Sequence, residues 1–218
     1  MRQYEFSDDW FSKNLVLFTR YLGDLKGKPC RMLEIGSYEG RSLVWLLENV
    51  VTHEAARIDS VDVAENPRLR QNLAATGSPE KVNFTLGRSA DVLRTLAANT
   101  YDFAYIDGCH WAVETLEDAV LSFPLVKAGG VIAFDDYGWD DPERNQFGRP
   151  KEAVDAFLAI YGGHVEVLHH GYQVWVRKRL PHQVAPPRLR PLKWQPYWWL
   201  RHPRKALLSL AGGSAQRR

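Results

Sequence analysis

Between Cys30 and Phe134 the chain alternates short apolar runs with helical stretches five times, and few folds accept that alternation. The apolar runs are residues 30–36, 57–63, 82–86, 103–106 and 131–134. Helical stretches cover 41–49, 67–75, 90–97 and 111–126. Strands that need a helix before the next strand read as parallel neighbours in a sheet covered on both faces. In such a sheet ligands bind just beyond the carboxyl ends of the strands. The residues that leave those ends are therefore the first place to look for function.

The flanks read differently. Ser7-Asp8-Asp9 is a helix-start signal, and Phe11, Leu15, Phe18, Leu22 and Leu25 then form one apolar helix face that Gly27-Lys28-Pro29 ends. Residues 137–149 are loop-like, and Pro150 suits the first turn of a helix that runs to about residue 161. Gly162-Gly163 breaks it, and strands 165–168 and 172–177 around His169-His170-Gly171 form a hairpin. The expected organisation is an N-terminal helix over 1–29, one α/β domain over 30–180 and a tail over 181–218.

Composition narrows the setting. At 218 residues, 45% hydrophobic and 25% charged, the chain is of ordinary globular type and needs no disulfide staples. Its two cysteines, Cys30 and Cys109, have no framework spacing, which points to a reducing compartment. The first ten residues hold acids and no apolar core of a signal peptide. No run approaches the ~18 apolar residues of a spanning helix, and with the unpaired cysteines a cytoplasmic location is expected. Eight of the 28 Lys/Arg and none of the 26 Asp/Glu fall from Pro181 on. That tail interleaves its cations with Trp194, Tyr197, Trp198 and Trp199. It suits packing against its own domain or a second subunit first, then the surface of an anionic inner membrane, and nucleic acid less so.

The strand ends carry the chemistry. The first enters Glu34-Ile35-Gly36-Ser37-Tyr38-Glu39-Gly40, whose glycines permit a tight turn and a close ligand. The spacing is not that of the dinucleotide fingerprint, and an acid before the first glycine suits an ammonium or sulfonium better than a pyrophosphate. Asp62 ends the second run, where a carboxylate can accept from two ribose hydroxyls or stabilise a helix start. The fourth run ends in Ile106-Asp107-Gly108-Cys109-His110, and the fifth in Asp135-Asp136-Tyr137.

Taken in order, these motifs resemble the class I S-adenosylmethionine-dependent methyltransferases. The subgroup is that of small bacterial enzymes with the phrases I-D-G-x-H and D-D-Y, related to metal-dependent catechol-type and sugar O-methyltransferases. The resemblance covers about residues 30–178 and implies a Rossmann-like three-layer α/β sandwich, its seven-stranded, mostly parallel sheet ending in an antiparallel strand. It assigns Glu34, Gly36 and Gly40, with Ser37 in the same turn, to the methionine end of S-adenosyl-L-methionine. Asp62 would hold the ribose, Ser89 and Ala90 would lie near the adenine, and Asp107 near the sulfonium.

Three carboxylates at adjacent strand ends, Asp107, Asp135 and Asp136, suit a hard divalent cation, Mg²⁺ first. Without a cation they repel one another; with one they can bind and acidify an acceptor hydroxyl. The alternative is that an acid of the pair caps the following loop. His110 reads as a general base or as a helix N-cap. Relatives often carry an acid where this chain has Cys109, which leaves the proton acceptor open. Trp139, Asp140, Asp141, Arg144 and Phe147 are expected in a substrate-side loop. The expected activity is O-methylation of a small sugar, glycan or phenol, in a protein that can self-associate. The alternatives are a metal-independent methyltransferase and a cofactor-binding scaffold without catalysis.

Overall fold

The computed structural model describes residues 3–139 and 148–184. Asp140, Asp141, Arg144 and Phe147, and the tail from residue 185, lie outside the described residues. Seven strands form one sheet: β1 Arg31–Ile35, β2 Arg57–Asp62, β3 Val82–Leu86, β4 Tyr101–Ile106, β5 Val126–Phe134, β6 Val165–His170 and β7 Val174–Lys178. Their order is β3-β2-β1-β4-β5-β7-β6, with β1 to β5 parallel and β7 antiparallel to both neighbours. This is the expected mostly parallel sheet with an antiparallel last strand.

Period-two alternation divides the core. Met32, Phe103, Tyr105, Val131 and Ala133 face one layer, with α1 Leu15–Leu22, α2 Arg41–Asn49 and α3 Pro67–Ala75. Leu33, Ala104, Ile106, Ile132 and Phe134 face the other, with α4 Ser89–Leu93, α5 Ala112–Leu125 and α6 Pro150–Tyr161. Phe18 of α1 is fully buried and meets Phe11, Trp175 and Tyr105 edge-on at 4.8, 4.9 and 5.0 Å between ring centres. Burying such a ring contributes roughly 1.5–3 kcal/mol, and edge-to-face contacts add to it.

Three local expectations are corrected. The N-terminal helix does not start at Ser7: Asp9 Oδ1 accepts the Ser12 amide at 2.9 Å, a 3-10 turn spans Ser12–Asn14, and α1 follows. The segment before it is free to cross the molecule as non-helical chain. β5 does not begin after Gly130 but at Val126, and a bulge absorbs the glycines, since Tyr101 pairs with Val126 and Phe103 with Val131. His169 and His170 belong to β6, opposite Trp175 and Val174, so the turn falls after them.

Candidate active site

The carboxyl ends of β1, β2, β4 and β5 open into one cavity of about 700 Å³, a size that suits a small-molecule ligand. Gly36, Ser37, Asp62, Ser89, Asp107, His110, Asp135 and Asp136 all line it. Glu34, Gly40 and Ala90 do not.

The floor is the turn after β1. Gly36 has φ +89°, and a Cβ there would overlap the carbonyl oxygen of Asp107. Only glycine lets β1 and β4 end this close together. Asp62 Oδ2 accepts the amides of Ser37 at 2.8 Å and Tyr38 at 3.0 Å, while Oδ1 accepts that of Ala64 at 3.1 Å. This carboxylate thus shapes the turn as well as facing the cavity.

Glu34 stands behind the wall. It is fully buried, takes a short hydrogen bond from Ser42 Oγ and accepts from Ser60 Oγ at 3.3 Å. Burial, only partly countered by those bonds, pushes its carboxyl up to about 8. A carboxyl so placed supports the turn from behind the cavity wall and does not line the cavity itself. Gly40 begins α2 in the left-handed region at φ +79°, and Ala90 is buried in α4.

The acids at the other end separate into two roles. Phe103 and Tyr105 of β4 share a face with Val131 and Ala133 of β5, and Asp135 directly follows β5. The buried Tyr105 hydroxyl therefore reaches Asp135, donating a short hydrogen bond to Oδ2. Asn14 Nδ2 donates to the same oxygen at 3.2 Å, and the Asp136 amide donates to Oδ1 at 2.7 Å. Asp136 has φ +53°, which turns its side chain away from the alternation of the strand. Its Oδ2 lies 3.0 Å from His110 Nε2 and its Oδ1 accepts the Tyr172 hydroxyl at 2.7 Å. Ligand atoms of Asp107, His110 and Asp136 all lie within 4.8 Å of one another. That is the metal-compatible cluster among the described residues, and it contains His110 where the sequence pattern had Asp135.

The protonation of the acids follows their surroundings. Burial, then the charges of Asp135 and Asp136, pushes Asp107 well above the usual carboxylate range. Burial and the charge of Asp136 also raise Asp135, against the bonds from Tyr105 and the Asp136 amide. Burial pushes Asp136 the same way, but the hydrogen bonds from His110 and Tyr172 and the nearby charges of His110 and Lys13 outweigh it, so its carboxyl lies low. A low Asp136 beside a raised Asp107 is the conflict that a divalent cation would relieve.

Several cavity residues were not read from the sequence: Trp10, Lys13, Tyr38, Tyr105 and Tyr172. Strand alternation could have shown Tyr105, two residues before Asp107. Tyr38 sits in the glycine turn itself, whereas nothing local marks Trp10, Lys13 and Tyr172, which other elements bring to the mouth. Cys109 lines the cavity as an exposed free thiol, and Trp139 packs 5.0 Å from the His110 ring.

Comparison with known proteins agrees with the fold. Residues 33–137 match the model of a family described as a methyltransferase domain. A curated relative, uncharacterized protein R132 of Acanthamoeba polyphaga mimivirus, is 27% identical over 111 residues, 48% of this chain and 50% of that one. The chain thus spans about half the length of the curated relative it matches. The O-methyltransferase TomG of Streptomyces achromogenes, involved in tomaymycin synthesis and solved with SAM, superimposes with a TM-score of 0.61 at 21% identity, over 77% of this chain and 79% of that one. An O-methyltransferase of Bacillus cereus in complex with SAH gives 0.61 at 16% identity, over 82% and 84%. MycE of the mycinamycin biosynthetic pathway, solved with Mg, SAH and mycinamycin VI, gives 0.57 at 16% identity, over 95% and 56%. The ordered motifs, the strand order and the match over residues 33–137 together make this stretch similar to a family described as a methyltransferase domain.

Proposed function

We propose that the protein is an S-adenosylmethionine-dependent O-methyltransferase for a small hydroxylated acceptor, a sugar, glycan or phenol, assisted by a divalent cation. The observation that carries this reading is the opening of one cavity onto both the Gly36 turn with Asp62 and the Asp107–His110–Asp136 cluster. TomG and MycE, whose described roles lie in natural-product synthesis, support a small acceptor.

In this reading the turn after β1, with Gly36 and Ser37, holds the methionine end of the donor. Asp62 and Ser89 face its nucleoside. An acceptor oxygen attacks the methyl carbon in line, the carbon–sulfur bond breaks, and the sulfonium leaves as a neutral thioether. Positioning and removal of one proton are what the protein must supply. Asp107, His110 and Asp136 would hold the cation, whose chemistry is to bind an acceptor hydroxyl and lower its pKa. Carboxylates suit Mg²⁺ or Mn²⁺, and an imidazole in the set favours the latter. A His110 nitrogen that holds a cation is not available as a base. The metal-independent alternative therefore assigns the proton to His110, oriented by Asp136.

Calorimetry with S-adenosylmethionine and Mg²⁺ or Mn²⁺, followed by mass spectrometry of acceptor panels with and without EDTA, tests this reading. Donor binding and methyl transfer lost in EDTA are expected. No donor binding at millimolar concentration would overturn the enzyme reading, and full activity in EDTA would leave the metal-independent one. The basic, tryptophan-rich sequence from Pro181 supports contact of a cytoplasmic protein with an anionic membrane surface; sedimentation with phosphatidylserine vesicles that is unchanged in Trp198→Ala/Trp199→Ala would overturn it. Among the described residues, no helix is long and apolar enough to cross a membrane. Self-association is tested by the mass in solution.

A further inference from the structure

The segment before α1, irregular chain followed by the Ser12–Asn14 3-10 turn, is built into the cavity. Phe6, Trp10 and Lys13 line it together with the turn after β1. Residues 5–14 lie outside the stretch that matches the methyltransferase family.

Three contacts tie the segment to that turn. Asn72 of α3 is fully buried and grips the backbone of Glu5 from both sides: Oδ1 accepts the Glu5 amide and Nδ2 donates to the Glu5 carbonyl, each at 2.9 Å. The same Nδ2 donates to the Glu39 carbonyl, at 2.9 Å, inside the glycine turn. The buried Glu39 carboxylate accepts the Ser7 amide at 2.6 Å, the Ser7 hydroxyl at 2.8 Å and Arg68 Nη1 at 2.7 Å. Finally, the Trp10 ring stacks on Tyr38 at 5.7 Å and 26°. Tyr38 holds a left-handed backbone, φ +44°, which costs a non-glycine residue. Trp10 is 63% exposed and Tyr38 48%. Two large rings left in solvent at a cavity mouth, one on a strained backbone, are poorly explained by folding alone.

We propose that residues 5–14 form the outer wall of the methyl-donor site, with Trp10 and Tyr38 closing over the donor. Asn72 is the positioning residue that couples this strap to the glycine turn. Donor on the turn then orders the strap, and an ordered strap retains the donor. The proposal rests on the reading that the cavity binds S-adenosylmethionine.

The test uses the full chain and SAH as probe. Trp10→Ala removes a mostly exposed ring, so the unfolding midpoint should stay unchanged while SAH affinity falls about tenfold, within the usual range of coupling between sites. Asn72→Asp keeps the shape and the acceptor but loses both donated bonds, and should weaken SAH in the same direction. In the wild type, SAH should slow hydrogen exchange of the amides between residues 5 and 14, a response that a purely structural segment would not give. If the wild type binds SAH, while Trp10→Ala binds it equally well and exchange over residues 5–14 is unaltered by SAH, the strap is not part of the site. If the wild type itself binds no SAH at millimolar concentration, the donor reading fails and the strap proposal falls with it.

Discussion

The side-chain amide of Asn14 donates to Oδ2 of Asp135 at 3.2 Å, joining the turn before α1 to the end of β5 across 121 residues of sequence. The Tyr105 hydroxyl donates to the same oxygen. The second acid of the pair, Asp136, is thereby left as the one that faces His110.

Replacing Asn14 by alanine should cost stability. Asn14 is 4% exposed, and removing its amide takes one donor from a buried carboxylate. Losing a partner of a buried polar group costs about 1–3 kcal/mol. Urea unfolding of Asn14→Ala should show a lowered midpoint with an unchanged slope.

The two adjacent acids should separate in metal binding. Asp136→Ala and Asp107→Asn should abolish Mn²⁺ binding, read by the loss of the free-ion electron paramagnetic resonance signal on titration. Asp135→Asn acts from behind the cluster and should weaken it only by about tenfold, the scale of supporting residues at metal sites. Equal loss in Asp135→Asn would restore Asp135 to the ligand set.

Glu34 makes a prediction about pH. Its folded carboxyl is raised from 4.5 to about 8, so the folded chain keeps a proton that the unfolded chain releases. Between those values the unfolded state binds fewer protons, and stability falls as pH rises. The contribution is complete below about pH 4.5 and lost as pH passes about 8, with a limiting slope of about 1.4 kcal/mol per pH unit. Glu34→Gln should flatten that part of the profile when denaturation midpoints are compared from pH 5 to pH 8.

Phe18→Ala should be the costliest of these changes for folding. The ring is 0% exposed and sits among Phe11, Tyr105 and Trp175. Deleting a buried phenylalanine ring costs about 3–5 kcal/mol. A thermal melt should show the loss. Because Tyr105 also leans on this ring, the melt should be accompanied by weaker Mn²⁺ binding in the fraction that folds.

What was legible in the sequence follows from local periodicity. Five strand–helix alternations, Pro150 at a helix start and the glycine turn at Gly36 each carry their own steric or burial signal, and the antiparallel last strand follows the family resemblance; the strand order comes from the structure. The cavity acids at the strand ends, Asp62, Asp107, Asp135 and Asp136, were legible because a parallel sheet aligns those ends.

What the sequence could not assign was direction. Asp135 and Asp136 are neighbours with the same chemistry. Only the left-handed backbone of Asp136 and the donors Asn14, Tyr105 and Tyr172, brought from three other elements, decide which acid faces the cluster. Glu34 looked available for a ligand, yet Ser42 and Ser60 close over it in the fold. The strap before α1 carried a helix-start signal and became a wall of the cavity because Asn72 and Glu39, buried far along the chain, offered its backbone better partners. Strand and helix patterns are set by neighbours within a few residues. The orientation of a carboxylate is set by whichever donors the tertiary structure places within hydrogen-bonding reach.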